Sequence, residues 1–505
     1  MITGLTLAGI LASHSMPGVD RISAPEDPGS QSKEDADPAP RLGDGLWAAT
    51  WSEVPDDFVW LTPMVWIRGN GVDDGSWTSN RYFQPEAVTA ELATRPEGRR
   101  VLFPWRYRHA LLNHPWDRLR GSDRTMLTIQ GPFVNAGAMS VTTEWTPFVN
   151  RMADLGARPD YLILDIESAG AFKSWNIDLE TIGDIIDDPR FTTTNIGENR
   201  TPASMTGDWS ASQIKSGDPI RAATDFNATI DRIFAQYLDK SILEPALKRW
   251  PNLVSSNYGG IRVSPEEATP DMNGVPVWGD ARFGTNSALE FYGRLRNIAK
   301  FFGPDPSDPT KIVRTAVDRF KASGWLGLQV DVNRARAKWR TNPTPFHAWI
   351  ATPDWHSDGF SRSYYENSPY WRENVFHQAL GGASLILFWN PQRTDMDPAE
   401  EIETRVKNAR KLENVLAELD SRTRGASPLV PLETARLDWT KDFILGGADL
   451  PNGQRLWRIS VAPDVRSITV NVNGRVRRLP IEEEPGVWLT GEHGDVIEMI
   501  KVERD

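Results

Sequence analysis

Between residues 46 and 420 the chain repeats one arrangement: short apolar runs that read as strands, separated by stretches with helical periodicity. Strands read at 59–67, 100–105, 126–130, 161–166, 253–257, 347–352 and 384–389, and helices at 144–155, 225–250, 315–323 and 370–380. Strands that are apolar throughout belong in a parallel sheet covered on both faces. Such an order predicts an α/β fold. The length of the region fits a closed (β/α)8 TIM-type barrel better than a doubly wound sheet. No G-x-G-x-x-G follows a strand and no G-x-x-x-x-G-K-[ST] occurs, so dinucleotide and nucleotide-phosphate cradles lack their usual signatures.

A charged helix over 399–419 ends at a Ser-Arg-Thr-Arg-Gly joint within 420–431. Beyond it, alternating runs at 456–461, 467–472, 475–479, 486–489 and 495–502, with Asn473-Gly474 as a hairpin turn, predict a small antiparallel β-sandwich-like domain over 431–505. The barrel is expected over 46–420. Residues 17–45, rich in Pro, Asp, Ser and Gly, have the composition of a disordered linker. Residues 1–16 contain a short apolar stretch followed by small residues, which resembles a secretory signal segment without the usual leading Lys or Arg. A misassigned start and a frayed cytosolic terminus both explain the missing charges. The expectation is a secreted or periplasmic protein.

Composition narrows the chemistry. The chain has 56 Lys plus Arg against 68 Asp plus Glu, a net charge of -12, which argues against a nucleic-acid partner. No run is long and apolar enough for an integral membrane segment. With no Cys, thiolate nucleophiles, zinc–thiolate sites and disulfides are excluded, and no cofactor is expected. Trp is unusually frequent, 21 against 9 Tyr. An indole offers a flat apolar face to the C–H side of a sugar and an N–H to a hydroxyl, so the expected partner is a carbohydrate substrate. For any single Trp, core packing is the commoner role.

In a barrel, catalytic groups sit at the C-terminal ends of strands. The outstanding strand end is Tyr161-Leu-Ile-Leu-Asp165-Ile-Glu167: four apolar residues, then two carboxylates two positions apart on one face. Like charges so close do not both ionise cheaply, and the more buried one holds its proton as a general acid. The spacing also fits a helix cap and an ordinary salt bridge.

With that strand placed, the region resembles the hyaluronidase family of glycoside hydrolases, whose strand ends in Asp-Trp-Glu where this chain has Asp165-Ile166-Glu167, and more distantly the chitinases with Asp-x-Glu. The run Phe376-His-Gln-Ala-Leu-Gly-Gly-Ala-Ser-Leu-Ile-Leu-Phe-Trp389 resembles that family's final helix and strand, and the strand running into Tyr258 occupies the corresponding place between them. The likeness spans residues 125–395, with only the two strand ends specific. It implies Glu167 as proton donor, Asp165 as the partner that orients a substrate acetamide, Trp389 as pocket floor and Tyr258 as a hydrogen-bond donor, with Tyr292 a further candidate. The chain departs from the chitinase pattern at Ile163, where a further Asp stands in that family, and from animal hyaluronidases in having no disulfides.

Other constellations compete. Asp354-Trp-His356-Ser-Asp358 follows a strand with metal-like alternation, though such residues commonly form turns. Asp354 also reads as a second carboxylate facing Glu167 across the barrel mouth. Trp105 and Arg106 follow the second strand, where Arg106 and Arg108 pair with an acidic glycan or with nearby acids. His109 and His114 lack the i, i+4 spacing of a helical zinc pair, and no G-x-S-x-G elbow occurs. The sequence therefore predicts a glycosidase with Glu167 as general acid/base and Asp165 assisting, with the 2-acetamido group of the substrate as one route of attack. The alternatives are a non-catalytic glycan-binding barrel and a metal-dependent hydrolase built on Asp354, His356 and Asp358.

Overall fold

The apolar runs of the central region form parallel strands. The structure, a computed structural model, describes residues 45–67, 84–104, 118–120, 126–128, 137–165, 238–259, 286–291, 323–354, 356–357, 361–362, 365, 368–390, 396–438 and 440–504. In chain order the strands up to residue 389 are β1 (Ala48–Thr50), β2 (Leu61–Pro63), β3 (Val65–Trp66), β4 (Val101–Phe103), β5 (Arg118–Arg120), β6 (Met126–Thr128), β7 (Tyr161–Leu164), β8 (Val254–Gly259), β9 (Ser287–Glu290), β10 (Phe346–Ala351), β11 (His356–Ser357), β12 (Ser361–Arg362) and β13 (Ala383–Trp389). Nine of them make one sheet, ordered β2-β1-β13-β10-β9-β8-β7-β4-β3, and each pairing in it is parallel.

The two ends of that order are neighbours in sequence. Only Met64 separates β2 from β3. Met64 N–H donates to Thr50 O on one side (2.9 Å), and Ile67 N–H donates to Phe103 O on the other (2.9 Å). The run 61–66 thus hydrogen-bonds to β1 with its first half and to β4 with its second. Pro63, which has no N–H, lies at the changeover.

The sheet obeys the period-two rule of strands. One face carries Trp47, Ala49, Met64, Trp66, Val101, Phe103, Tyr161, Ile163, Ala288, Trp349, Leu385 and Leu387 in a single apolar cluster. The other face carries Ala48, Leu61, Leu289, Phe346, Ala348, Ile350, Ile386 and Phe388, packed with helical residues. The helices are α1 (Pro85–Ala93), α2 (Gly137–Asp154), α3 (Glu244–Arg249, entered through a π-turn at Asp239–Leu243), α4 (Ser323–Thr341), α5 (Tyr370–Leu380) and α6 (Pro398–Thr423). Asp397 caps α6, its carboxylate accepting from Ala399 N–H at 2.9 Å.

One expectation is corrected. The run 126–130 does not join the parallel sheet: its described part, β6, pairs antiparallel with β5. Of the helix expected at 315–323, residues 315–322 lie outside the described ones, and a helix occupies Ser323–Thr341. Within α4, Leu328-Gln-Val-Asp-Val332 alternates like a strand. The alternation arises because the helix is buried nearly all round. Leu328, Val332 and Ala335 join the outer cluster, while Arg336 donates to Ala435 O and Leu445 O and Asn333 Oδ1 accepts from Leu437 N–H, all C-terminal segments.

Beyond α6, β14 (Phe443–Asp449), β15 (Gln454–Val461) and β18 (Gly486–Glu492) form one antiparallel sheet. β16 (Val465–Val472), β17 (Arg475–Pro480) and β19 (Ile497–Arg504) form another, and residues of both sheets share one apolar cluster. This module is fastened to α5 by a buried ion pair. Arg458 grips Glu373 through Nε (2.8 Å) and through a second bond to Oε1, and Ser460 Oγ–H donates to Glu373 Oε2 at 2.5 Å. Ser460 Oγ also meets His377 Nε2 at 2.8 Å. Burial and the cations Arg336 and Arg458 hold that imidazole well below its ordinary pKa, hence neutral. Gly446 permits the approach, since a Cβ there would stand 2.6 Å from His377 Nδ1.

Candidate active site

The N-terminal end of the sheet's inner face is closed by packing. His347 on β10 is fully buried, with Nδ1 2.8 Å from Ser256 Oγ and Nε2 3.1 Å from Asn286 Nδ2. Burial pushes its pKa down to about 3, so it is a neutral bridge between two strands. Tyr161 packs edge-on against Trp47 and His347, and burial raises its phenol to about 12. Asp160, just before β7, accepts from Arg100 N–H at 2.9 Å and fixes the start of β4.

The C-terminal end of the same face is different. Strand ends there deliver Trp51, Trp66, Phe103 and Trp389. Trp51 is the hub, with ring centroids 4.1 Å from Trp389, 4.6 Å from Trp66 and 4.9 Å from Phe103, each edge-to-face, and 6.1 Å from Trp349. Trp66 and Trp349 are buried, whereas Trp51 and Trp389 keep part of their surface open. Asp165 follows β7 directly, on the face of Tyr161 and Ile163, and is 5% exposed. A largely buried carboxyl at the same end of the sheet as a set of edge-packed indoles supplies the groups that grip a polyhydroxylated ring.

Of the residues singled out from sequence, Asp165 and Trp389 both lie at this end of the sheet. Tyr258 lies within β8, in register with Ala288 of the inner cluster. Glu167, Tyr292, Trp105, Arg106 and Asp358 lie outside the described residues. Asp354 is placed elsewhere: its carboxylate accepts from Asn408 Nδ2 of α6 at 2.8 Å. It lines a separate cavity of about 560 Å³ with Trp371, Arg372, Lys411, Asn414 and Glu484. His356 lies in β11, opposite Arg362 of β12. Among the described residues no group of three or more His, Asp or Glu forms a metal-binding cluster.

Trp51, Trp66 and Phe103 were not anticipated from sequence. Their signal is the alternation Trp47-Ala-Ala-Thr-Trp51, which only a strand at 48–50 makes meaningful. Several other Trp are core, as the bulk reading of the composition requires. Trp145 is fully buried and donates to Ile242 O (2.7 Å), and Trp250 donates to Ala157 O (2.8 Å).

No family model matches the chain, and no curated protein matches it. Among solved structures it overlaps α-galactosidase I from Mortierella vinacea with 12% identity over 91% of this chain and 97% of that one, at a TM-score of 0.27. An endo-β1,6-glucanase overlaps at 8% identity over 80% and 73%, TM-score 0.27. A GH27 β-L-arabinopyranosidase from Geobacillus stearothermophilus, in complex with arabinose, overlaps at 8% identity over 70% and 75%, TM-score 0.25. Likeness at that level leaves fold and function to be argued from the chain's own residues.

Proposed function

We propose that the parallel sheet closes through the run 61–66 into a (β/α)8 barrel and that the open C-terminal end of its inner face is the active site of an O-glycosyl hydrolase. Glu167 acts as general acid/base and Asp165 assists it, on a carbohydrate substrate stacked against Trp389. The observation that carries the reading is the placement of Asp165 and of partly exposed indoles at the same end of the sheet, the end where parallel barrels place their chemistry. The apolar segment at residues 2–12 supports a secreted or periplasmic location.

In this reaction the glycosidic oxygen takes the proton of Glu167 as its bond to the anomeric carbon breaks, and Asp165 steadies the developing positive charge. Attack on that carbon has two chemical sources: the substrate's own 2-acetamido oxygen, which the resemblance to hyaluronidases implies, or a second carboxylate. Asp354 accepts a hydrogen bond from Asn408 of α6. A non-catalytic glycan-binding barrel would need the same indoles but no acid.

The deciding experiment is Glu167→Gln, assayed on polysaccharides and aryl glycosides. The variant is expected to keep its melting temperature and its glycan binding while losing at least about 10²-fold in turnover, the contribution of general acid catalysis. Unchanged turnover in a folded variant removes Glu167 from the chemistry.

A further inference from the structure

We infer that the cavity between α5, α6 and the β module is a second sugar site, one that holds a neutral carbohydrate without cleaving it; the choice of sugars among neutral polyols rests on the glycosidase reading above. The cavity measures about 560 Å³. Small-molecule sites span about 300 to 1,000 Å³ and often form where domains meet. Tyr365, Trp371 and Val415 of the outer cluster make its floor, so it lies on the other side of the sheet from Trp51 and Trp389. The polar atoms of the two floor rings are already engaged, Tyr365 O–H donating to Asp331 Oδ2 and Trp371 Nε1–H to Ala351 O, both at 2.9 Å. What the floor offers a ligand is therefore carbon surface, to which Pro369 and Pro485 add.

The charges of the wall fall into two groups. Arg372 of α5 pairs with Glu418 of α6 and with Glu484 of the loop between β17 and β18, while Arg458 grips Glu373 and lies 3.7 Å from Glu484. These guanidinium and carboxylate groups neutralise one another and tie the β module to both helices. Asp354 and Lys411 do not pair directly. The Asn408 carboxamide stands between them, donating from Nδ2 to Asp354 Oδ1 (2.8 Å) and accepting at Oδ1 from Lys411 Nζ (3.4 Å). Asn408, Lys411 and Asn414 recur at three-residue steps along α6, and Lys411 and Asn414 are exposed.

This arrangement selects by hydrogen-bonding character rather than by charge. A carboxylate only accepts and an ammonium only donates, whereas a hydroxyl does both. A ligand with several hydroxyls can donate to Asp354, accept from Lys411 and exchange either bond with Asn414, while its C–H side rests on the floor. An anion would gain Lys411 but meet Asp354 and Glu484; a cation would gain Asp354 but meet Lys411 and Arg372. With Glu373 and Glu484 committed to guanidinium groups, no proton donor stands opposite Asp354 among the described carboxyl groups of the wall, so the cavity binds and does not cleave.

The test follows backbone hydrogen–deuterium exchange in the full chain as methyl glycosides of glucose, galactose, arabinose, xylose and N-acetylglucosamine are added one at a time, with glucuronate and glucosamine as charged controls. At least one neutral glycoside is expected to slow exchange in the peptides that carry residues 408–415 and 481–485. Lys411→Ala is expected to raise the midpoint of that protection at least about 10-fold, the effect of losing a hydrogen bond to a charged group. Lys411→Arg, which keeps a charged donor, is expected to retain most of the affinity. Asn414→Trp, at an exposed helix position, is expected to abolish protection by filling the entrance. None of the three variants should alter turnover of aryl glycosides, which reports the inner face alone. Absence of protection with every neutral glycoside, protection by glucuronate or glucosamine only, or protection that survives both Lys411→Ala and Asn414→Trp overturns the cavity assignment and leaves the glycosidase standing. Protection of the cavity in a chain that hydrolyses no glycoside overturns the glycosidase reading and leaves the site.

Discussion

The two ends of the inner sheet face are built from the same strands by opposite rules. At the N-terminal end, Trp47 is 1% exposed, Tyr161 closes on it, and the polar atoms of His347 are met by Ser256 and Asn286. At the C-terminal end, where Asp165 follows β7, the indoles of Trp51 and Trp389 are left partly open. A sealed layer of partnered groups holds strands in register; a layer with open rings leaves room for a ligand. The same alternation along β1, from Trp47 to Trp51, thus ends in a sealed indole on one side and a partly open one on the other.

The sharpest way to break this contrast is to truncate one indole at each end. Trp47→Ala is expected to cost about 3 to 5 kcal/mol of unfolding free energy, the range for a buried aromatic. Trp389→Ala, from a half-open site, is expected to cost less and to lose most of the affinity for glycan. Denaturant unfolding and glycan titration on both variants check the pair. Equal stability losses with intact glycan binding would make Trp389 core and erase the distinction.

Acid provides the second test. Folded His347 has its pKa pushed down to about 3, against 6.5 for an ordinary imidazole. Between these values the unfolded chain binds a proton that the folded chain excludes, so stability rises with pH across that window. The contribution is fully present above about pH 6.5 and is lost as pH falls toward 3. His377, also held low by burial and by Arg336 and Arg458, adds in the same direction from the junction with the β module. His347→Gln, which keeps hydrogen-bonding capacity without titrating, is expected to flatten the slope of unfolding free energy against pH between 6.5 and 3. An unchanged slope would mean that the closed end does not exclude the proton.

Much of the architecture was legible in the sequence because parallel strands announce themselves by length and apolarity. The runs at 100–105, 161–166, 253–257, 347–352 and 384–389 coincide with β4, β7, β8, β10 and β13. Three-residue β1 and four-residue β9 were not legible, since runs so short acquire meaning only from the neighbours that pair with them. β14 was hidden by Gly446 and Gly447, residues that usually weaken a strand. Here they let it lie against α5 and Trp457: a Cβ on Gly447 would meet Trp457 at 2.6 Å. Asp165 was legible as a carboxyl that follows an apolar strand. For Asp354, sequence order shows that the residue follows a strand but not which partner it takes, and α6 offers it Asn408.

The smallest expected effect is the most discriminating for the open end. Trp51 touches Trp66, Phe103 and Trp389 edge-to-face, and such contacts contribute about 0.5 to 1.5 kcal/mol each beyond burial. Trp51→Phe keeps an aromatic ring at the hub but removes the indole N–H and part of the flat surface. If the hub shapes a sugar platform, a loss of this size should appear as a weakening of glycan affinity of about 2- to 12-fold, with a smaller shift in melting temperature. Turnover at saturating substrate should change little, because the ring meets ground state and transition state alike. A lowered melting temperature with unaltered affinity would instead place Trp51 with Trp47, as packing, and confine recognition to Trp389 and the carboxyl side of the mouth.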